Sequence, residues 1–174
     1  SFSIWEKTAG GMVLTYDSGS FFEQYLRDND PAGFADGRSD DKGPEPEGLT
    51  LGVIDGKTYA FIGMERTNGV FMFDVTDPLS PYFVDYERID DGSNTPLRPE
   101  GFHFVSAADS PTGQSLLLVG FEGDGTLASS ERIGIFAVTA VPEPSTWAML
   151  LAGMGVAGWH WRRRRATPVA ESAK

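Results

Sequence analysis

A tripeptide that occurs twice, each time followed by similar residues, constrains the fold of this chain most. Pro46-Glu47-Gly48 is echoed 53 residues later by Pro99-Glu100-Gly101. Two extended apolar runs follow each copy, at 59–63 and 70–76 after the first and at 116–120 and 133–139 after the second. Landmarks that recur in the same order indicate an internal structural repeat rather than a chance match.

The repeat has the composition of β-structure. The chain holds 12 Phe and 5 Tyr, which favour strands, and 21 Gly and 11 Pro, which favour turns. Asp55-Gly56 is a tight hairpin signal, and residues 82–86 follow a proline-bracketed loop as a fourth strand at a sheet edge. Four antiparallel strands within about 50 residues are typical of a β-propeller blade. We therefore predict an all-β fold, a partial β-propeller of about two four-stranded blades within residues 1–139.

The residues before the first copy predict the remnant of a preceding blade, with strands at 2–6 and 12–16. A short amphipathic helix at 21–26 and an acidic, turn-rich loop at 28–47 come next. A closed ring needs four or more blades, and an exported chain needs an N-terminal signal. We therefore expect further blades upstream of Ser1. A small sandwich of two sheets is the alternative architecture.

The end of the chain predicts a sorting segment and a membrane anchor. Pro142-Glu143-Pro144 lies in a linker at 140–146, an apolar stretch fills 147–161, and a basic tail at 162–174 begins with Arg162, Arg163, Arg164 and Arg165. Fifteen residues rise about 22 Å as a helix, which spans a bilayer core of roughly 30 Å only if the bilayer thins or the flanking side chains extend the reach. We predict a single C-terminal transmembrane helix with the arginines in the cytoplasm. A buried helix with a basic end is the alternative.

This order of motif, apolar helix and arginine cluster resembles the PEP-CTERM sorting signal of Gram-negative bacteria. The resemblance implies export, a stage anchored in the inner membrane, and a final place at the cell surface or in the extracellular matrix. It also implies a partner, an exosortase-type membrane transpeptidase that recognises Pro142, Glu143 and Pro144.

Several runs within residues 1–139 resemble the choice-of-anchor I domain. The most specific is Arg38–Gly48, and the others are Asp17–Gly19, Phe22-Glu23, Thr58–Gly63, Asp74–Pro78 and Pro99–Gly101. The resemblance implies an exported propeller held by an interchangeable C-terminal anchor, with some relatives described as alkaline phosphatase-like or phytase-like. The second repeat departs from the pattern at 121–125, and no role is carried over to Glu122.

Charge and cysteine content exclude several classes of function. Residues before the apolar stretch hold 24 Asp and Glu against nine Lys and Arg, a net charge of −15. A field of that sign repels nucleic acid and attracts cations. The chain has no cysteine, which excludes disulfides and thiolate metal sites.

Carboxylates are the best candidates for a binding site. If the repeats are neighbouring blades, Glu47 and Glu100 face a shared axial space and can bind Ca²⁺ through oxygen, with Asp40 and Asp41 as further ligands from the acidic loop. The alternative is that each Glu only caps backbone amides at a turn. Arg66 is expected to form a local ion pair, with Glu65 or Glu47, rather than to bind a phosphate. His103 is interpreted as a packed or hydrogen-bonded strand residue, with a channel-facing position as the alternative.

Two functions remain open at this point. The first is an exported, surface-anchored β-propeller with a binding or structural role that also binds Ca²⁺. The alternative is a Ca²⁺-dependent phosphoric-ester hydrolase, in which Glu47 and Glu100 hold ions that polarise a phosphate. The sequence has no Gly-x-Ser-x-Gly elbow, no His-Glu-x-x-His motif and no phosphate-cradling Gly loop.

Overall fold

A computed structural model describes residues 1–34, 40–90, 97–123, 131–140 and 154 of the protein. These residues form one helix and nine strands: β1 (Ser3–Thr8), β2 (Gly11–Asp17), α1 (Phe21–Asn29), β3 (Pro46–Ile54), β4 (Lys57–Met64), β5 (Gly69–Asp74), β6 (Tyr82–Arg88), β7 (Pro99–Val105), β8 (Ser115–Phe121) and β9 (Arg132–Val138). The strands form three antiparallel sheets in chain order, β1-β2, β3-β4-β5-β6 and β7-β8-β9. The predicted all-β class is confirmed, whereas the propeller stays a prediction.

We refer to β3-β4-β5-β6 as the first sheet and to β7-β8-β9 as the second sheet. The first sheet is the four-stranded meander that the repeat predicts. Its first hairpin turns at Asp55 and Gly56, with φ of 52° and 79°, and pairs Ile54 with Lys57. Two left-handed residues in a two-residue loop form the type I′ turn, whose twist matches that of the flanking strands. Strand β6 forms the outer edge of the sheet, as predicted.

The second sheet has three strands in the described residues, one fewer than a four-stranded blade. The described residues thus contain three of the four strands predicted for the second blade, and its fourth strand stays a prediction. Strand β9 ends at Val138, and two prolines, Pro142 and Pro144, follow within six residues in the sequence. A proline has no N–H to donate and is a poor residue for the interior of a strand ladder.

Helix α1 covers one face of the first sheet. The predicted short helix is confirmed and runs for nine residues. Phe22 and Leu26 are fully buried on the helix, and they share an aromatic core with Phe71, Phe73 and Phe2. The ring centroids of Phe22 and Phe71 lie 4.9 Å apart. Aromatic contacts of this kind, together with the buried apolar area, hold the helix on the sheet.

The second sheet packs on the other face of the first through β7. The ring of Phe102 lies directly over Gly48 and Gly63, and a Cβ built on Gly48 would stand 2.3 Å from the carbonyl oxygen of Glu100. Phe104 covers Gly52 and stacks on Phe61 at a centroid distance of 5.8 Å. Glycine is thus required where the two inner strands approach most closely.

Most of the predicted sorting and membrane segment lies outside the described residues. This applies to Pro142-Glu143-Pro144, to Arg162–Arg165 and to the stretch 147–161 except Met154, which is helical and exposed. In the part of the chain that the structure describes, no helix is both long and apolar enough to cross a bilayer.

Candidate functional site

The two Pro-Glu-Gly copies open β3 and β7 in the same way. Strand β3 pairs Pro46 with Met64 and resumes regular pairing only at Leu49, and β7 shows an equivalent shift between Pro99 and Gly101. A register shift of this kind is a β-bulge, which turns a side chain away from its regular direction. Both bulges include the glutamate of the tripeptide. The sequence repeat therefore corresponds to a repeated local geometry at one edge of the two sheets.

The residue before each proline adopts the same unusual backbone conformation. Glu45 and Arg98 have φ of 49° and 53°, in the left-handed region. The Glu65 N–H donates to the carbonyl of Glu45 at 3.0 Å, and the Glu122 N–H donates to that of Arg98 at 3.1 Å. Positive φ is uncommon outside glycine and often marks a functional or constrained position. Sequence comparison of the repeats misses this pair because their charges are opposite, although each directly precedes Pro-Glu-Gly.

Glu65 is the most buried carboxylate at this edge, with a side chain only 8% exposed. The pKa of Glu65 is raised to about 7, first by burial and then by hydrogen bonds with Glu45 and Glu47. The protonated carboxyl can donate to a neighbouring carboxylate, while the charged form would meet two like charges. Burial and the neighbouring carboxylates therefore both oppose ionisation of Glu65.

Arg66 offsets part of this charge. Its Nε donates to Glu45 Oε2, and its Nη1 lies 3.3 Å from Glu65 Oε1. The hydrogen bond from Arg66 lowers the pKa of Glu45. The predicted local ion pair of Arg66 with Glu65 is confirmed. The Nε of Arg98 lies 3.9 Å from the same Glu65 oxygen, so this pair joins the second repeat to the first.

Glu47 and Glu100 lie at equivalent positions at the start of β3 and β7. Burial raises the pKa of Glu100, and the negative charges of Glu122 and Glu47 add to that rise. All three side chains are exposed at the edge. We refer to Glu45, Glu47, Glu65, Glu100 and Glu122 as the carboxylate edge.

The predicted metal ligands do not form a metal centre in the described part of the chain. Asp40 and Asp41 lie on an exposed turn, which approaches the carboxylate edge through Lys42, 3.5 Å from Glu45. Among the described residues, no group of three or more His, Asp or Glu is arranged to hold a metal ion. Metal binding by Glu47, Glu100, Asp40 and Asp41 thus stays a prediction. His103 is exposed on β7, which does not agree with a packed position.

Comparison with known proteins supports both resemblances seen in the sequence. Residues 1–78 match the choice-of-anchor I domain, and residues 140–165 match the PEP-CTERM protein-sorting motif. Gigasin-3a of Magallana gigas is 26% identical over 143 residues, which cover 67% of this chain and 50% of Gigasin-3a. The chain thus spans about half the length of that curated relative. No solved structure matches the chain.

Proposed function

We propose that this protein is displayed on the outside of a bacterial cell as a binding or structural module. The proposal starts from a chain in which a match to the choice-of-anchor I domain is followed by a match to the PEP-CTERM protein-sorting motif. The observation that carries the proposal is the match of residues 140–165 to the sorting motif. That motif supports export and recognition by an exosortase-type enzyme. The choice-of-anchor I domain supports anchoring at a surface.

The order of the last residues suggests how sorting proceeds. The apolar stretch 147–161 is proposed to hold the chain in the inner membrane, with Arg162–Arg165 retained on the cytoplasmic side. Four arginines are costly to move through a bilayer, so they stop transfer at that point. Pro142-Glu143-Pro144 would then lie just outside the apolar stretch, where a membrane transpeptidase can reach it.

Replacement of Pro142, Glu143 and Pro144 by alanine is expected to block processing and to leave the full-length chain in the inner membrane. The measurement is membrane fractionation of an exosortase-containing host, with one epitope tag before residue 140 and another after Lys174. The matched control replaces Ser145 and Thr146 by alanine and should be processed normally. Equal processing of the motif variant and the wild type would contradict the proposed sorting route.

We further propose that the carboxylate edge binds Ca²⁺ and that the two larger sheets are neighbouring blades of a propeller. Two observations support Ca²⁺ binding at the carboxylate edge. Glu47 and Glu100 occupy equivalent bulges and interact with each other, and burial with like charge raises the pKa of Glu65 and Glu100. A hard cation with six to eight oxygen ligands would relieve this repulsion. Because no closed cage is present among the described residues, we expect the weak affinity of extracellular modules, about 10⁻⁴–10⁻³ M.

Ca²⁺ is expected to raise the melting temperature of the wild-type protein and to leave that of the Glu47→Gln/Glu100→Gln variant unchanged. A ligand at ten times its Kd stabilises the folded state by about 1.4 kcal/mol, which corresponds to a shift of a few degrees. The measurement is thermal unfolding followed by circular dichroism, in EDTA and in millimolar Ca²⁺. The matched control is Glu6→Gln on β1, an exposed carboxylate outside the carboxylate edge. Equal shifts in all three proteins would contradict a site at Glu47 and Glu100.

The hydrolase alternative is tested on the same samples with a phosphoester substrate. Phosphate binding by Arg66 was the less favoured interpretation of the sequence, and in the structure Arg66 contacts Glu45 and Glu65. Turnover that requires Ca²⁺ and is lost in the Glu47→Gln/Glu100→Gln variant would replace the binding role with the hydrolase.

A further inference from the structure

The outer edge of the second sheet is open in the described residues. β9 pairs with β8 on one side and, within this part of the chain, with no strand on the other. In the first sheet that position is filled by β6, which begins at Tyr82, six residues after Thr76. Six residues after the equivalent Thr139 comes Ser145, inside the match to the sorting motif. The sorting segment therefore occupies the place in the sequence where the repeat would supply a fourth strand.

A cleft lies where that fourth strand would face β6. Its volume is about 360 Å³, within the usual range of binding pockets. Its apolar surface comes from both sheets, with Val70 and Met72 on one side and Leu117 and Phe136 on the other. The cleft thus combines an apolar surface with an adjacent strand edge, whose backbone groups can bind another strand.

Two carboxylates line the β6 side of the cleft. Asp85 and Glu87 are two residues apart, so both point to the same face of the strand, and both are exposed. Among the described residues, the side chain of Asp85 accepts a hydrogen bond from the Tyr86 N–H, and neither carboxylate is held in an ion pair. Their spacing matches the alternation of side chains along an extended peptide.

The opposite face of β9 is apolar. Ile133 and Ile135 are 72% and 64% exposed and lie on the face away from Phe136. A strand added to β9 would therefore meet acidic groups on one face and aliphatic side chains on the other. The aliphatic side chains of β9 would pair with β-branched residues across neighbouring strands, which stabilises an antiparallel sheet. The acidic groups of β6 would meet basic residues of the added strand between the two facing sheets, as ion pairs.

We propose that β9 binds an extended segment of a partner protein, which adds to the second sheet as its fourth strand. The segment carries Lys or Arg at two alternate positions that face Asp85 and Glu87, and β-branched residues at the positions between them. Backbone hydrogen bonds to β9 provide the affinity, and the alternating side chains provide the specificity, as in other cases of strand addition. The net charge of −15 before the apolar stretch further favours a basic segment.

The test uses the full chain in detergent and a fluorescein-labelled peptide, Thr-Lys-Val-Lys-Val-Thr, with binding followed by fluorescence anisotropy. Binding of this peptide is expected, and binding of Thr-Glu-Val-Glu-Val-Thr is not. Loss of the two charge pairs between β6 and the added strand in the Asp85→Asn/Glu87→Gln variant should weaken binding about tenfold. The matched control, Glu6→Gln/Asp28→Asn, changes two exposed carboxylates outside the cleft and should bind as the wild type does.

Two N-methylated peptides distinguish strand addition from charge attraction. Methyl groups on alternate amides remove the N–H donors along one edge of the extended peptide and leave those along the other edge. Only the peptide that is methylated along the edge facing β9 should lose binding. Equal binding by both methylated peptides, or equal binding to all protein variants, would overturn the proposal. Binding seen only after removal of residues 140–174 would assign the cleft to the chain's own tail. Self-association that the peptide cannot displace would assign it to a second copy, and either result also overturns the proposal.

Discussion

Replacement of Phe22 by alanine is expected to lower the free energy of unfolding by about 3–5 kcal/mol. The Phe22 side chain is fully buried between α1 and the first sheet, and its ring contacts those of Phe2, Phe71 and Phe73. A helix of nine residues is too short to be stable alone, so its packing decides whether it forms. Loss of the ring leaves a cavity that the surrounding rings of the sheet cannot readily fill.

The measurement is urea unfolding followed by circular dichroism. Leu79→Ala is the control, because Leu79 is also a large apolar residue but is 76% exposed. Its substitution is expected to change the free energy of unfolding by less than about 0.5 kcal/mol. If Phe22→Ala cost no more than the control, α1 would not be part of the folded core.

The second large effect on the free energy of unfolding is expected at Gly48. Its equivalent in the second repeat, Gly101, has different surroundings. Gly48→Ala should cost about 2–3 kcal/mol, because the new Cβ would stand 2.3 Å from the Glu100 carbonyl oxygen and from the Phe102 ring. Backbone cannot move away as a flexible side chain can, so β3 and β7 must separate. Gly101 occupies the same place in the second repeat, where the nearest atom to an added Cβ is the Cα of Gly120 at 4.0 Å.

Gly101→Ala is therefore the matched control and should be neutral or slightly stabilising, because alanine restricts the unfolded chain. Both variants are compared by urea unfolding and by melting temperature. A similar loss in both would mean that the glycines serve the bulge itself rather than the contact between sheets. A loss in Gly48→Ala alone would establish the close packing of β3 on β7.

Several local features of the fold could be predicted because their causes are local. The turn at Asp55-Gly56 follows from residues that tolerate positive φ, and β4 and β5 follow from continuous apolar runs. Helix α1 was also predicted, although it extends three residues beyond the predicted end at Leu26. Three strands of the second sheet lie in the described residues, so the fourth strand that the repeat predicts stays a prediction.

The carboxylate edge was predictable only in part. Glu47 and Glu100 were found because they repeat within an identical tripeptide, and their role as metal ligands stays a prediction. The left-handed backbone shared by Glu45 and Arg98 was missed, since one residue is acidic and the other basic. The raised pKa of Glu65 was missed as well, because it depends first on burial, which no local sequence pattern reports.

The sequence by itself determined the chemical class of each segment: strands and turns through Val138, a sorting motif at 140–165, and an acidic domain without cysteine. These properties depend on side-chain type and short-range order, so they can be read along the chain. Only the tertiary structure decided which residues meet, such as Phe102 over Gly48 and Arg98 beside Glu65. Those contacts join residues more than 30 positions apart, and they depend on how two sheets pack, which is a property of the folded surface rather than of any single segment.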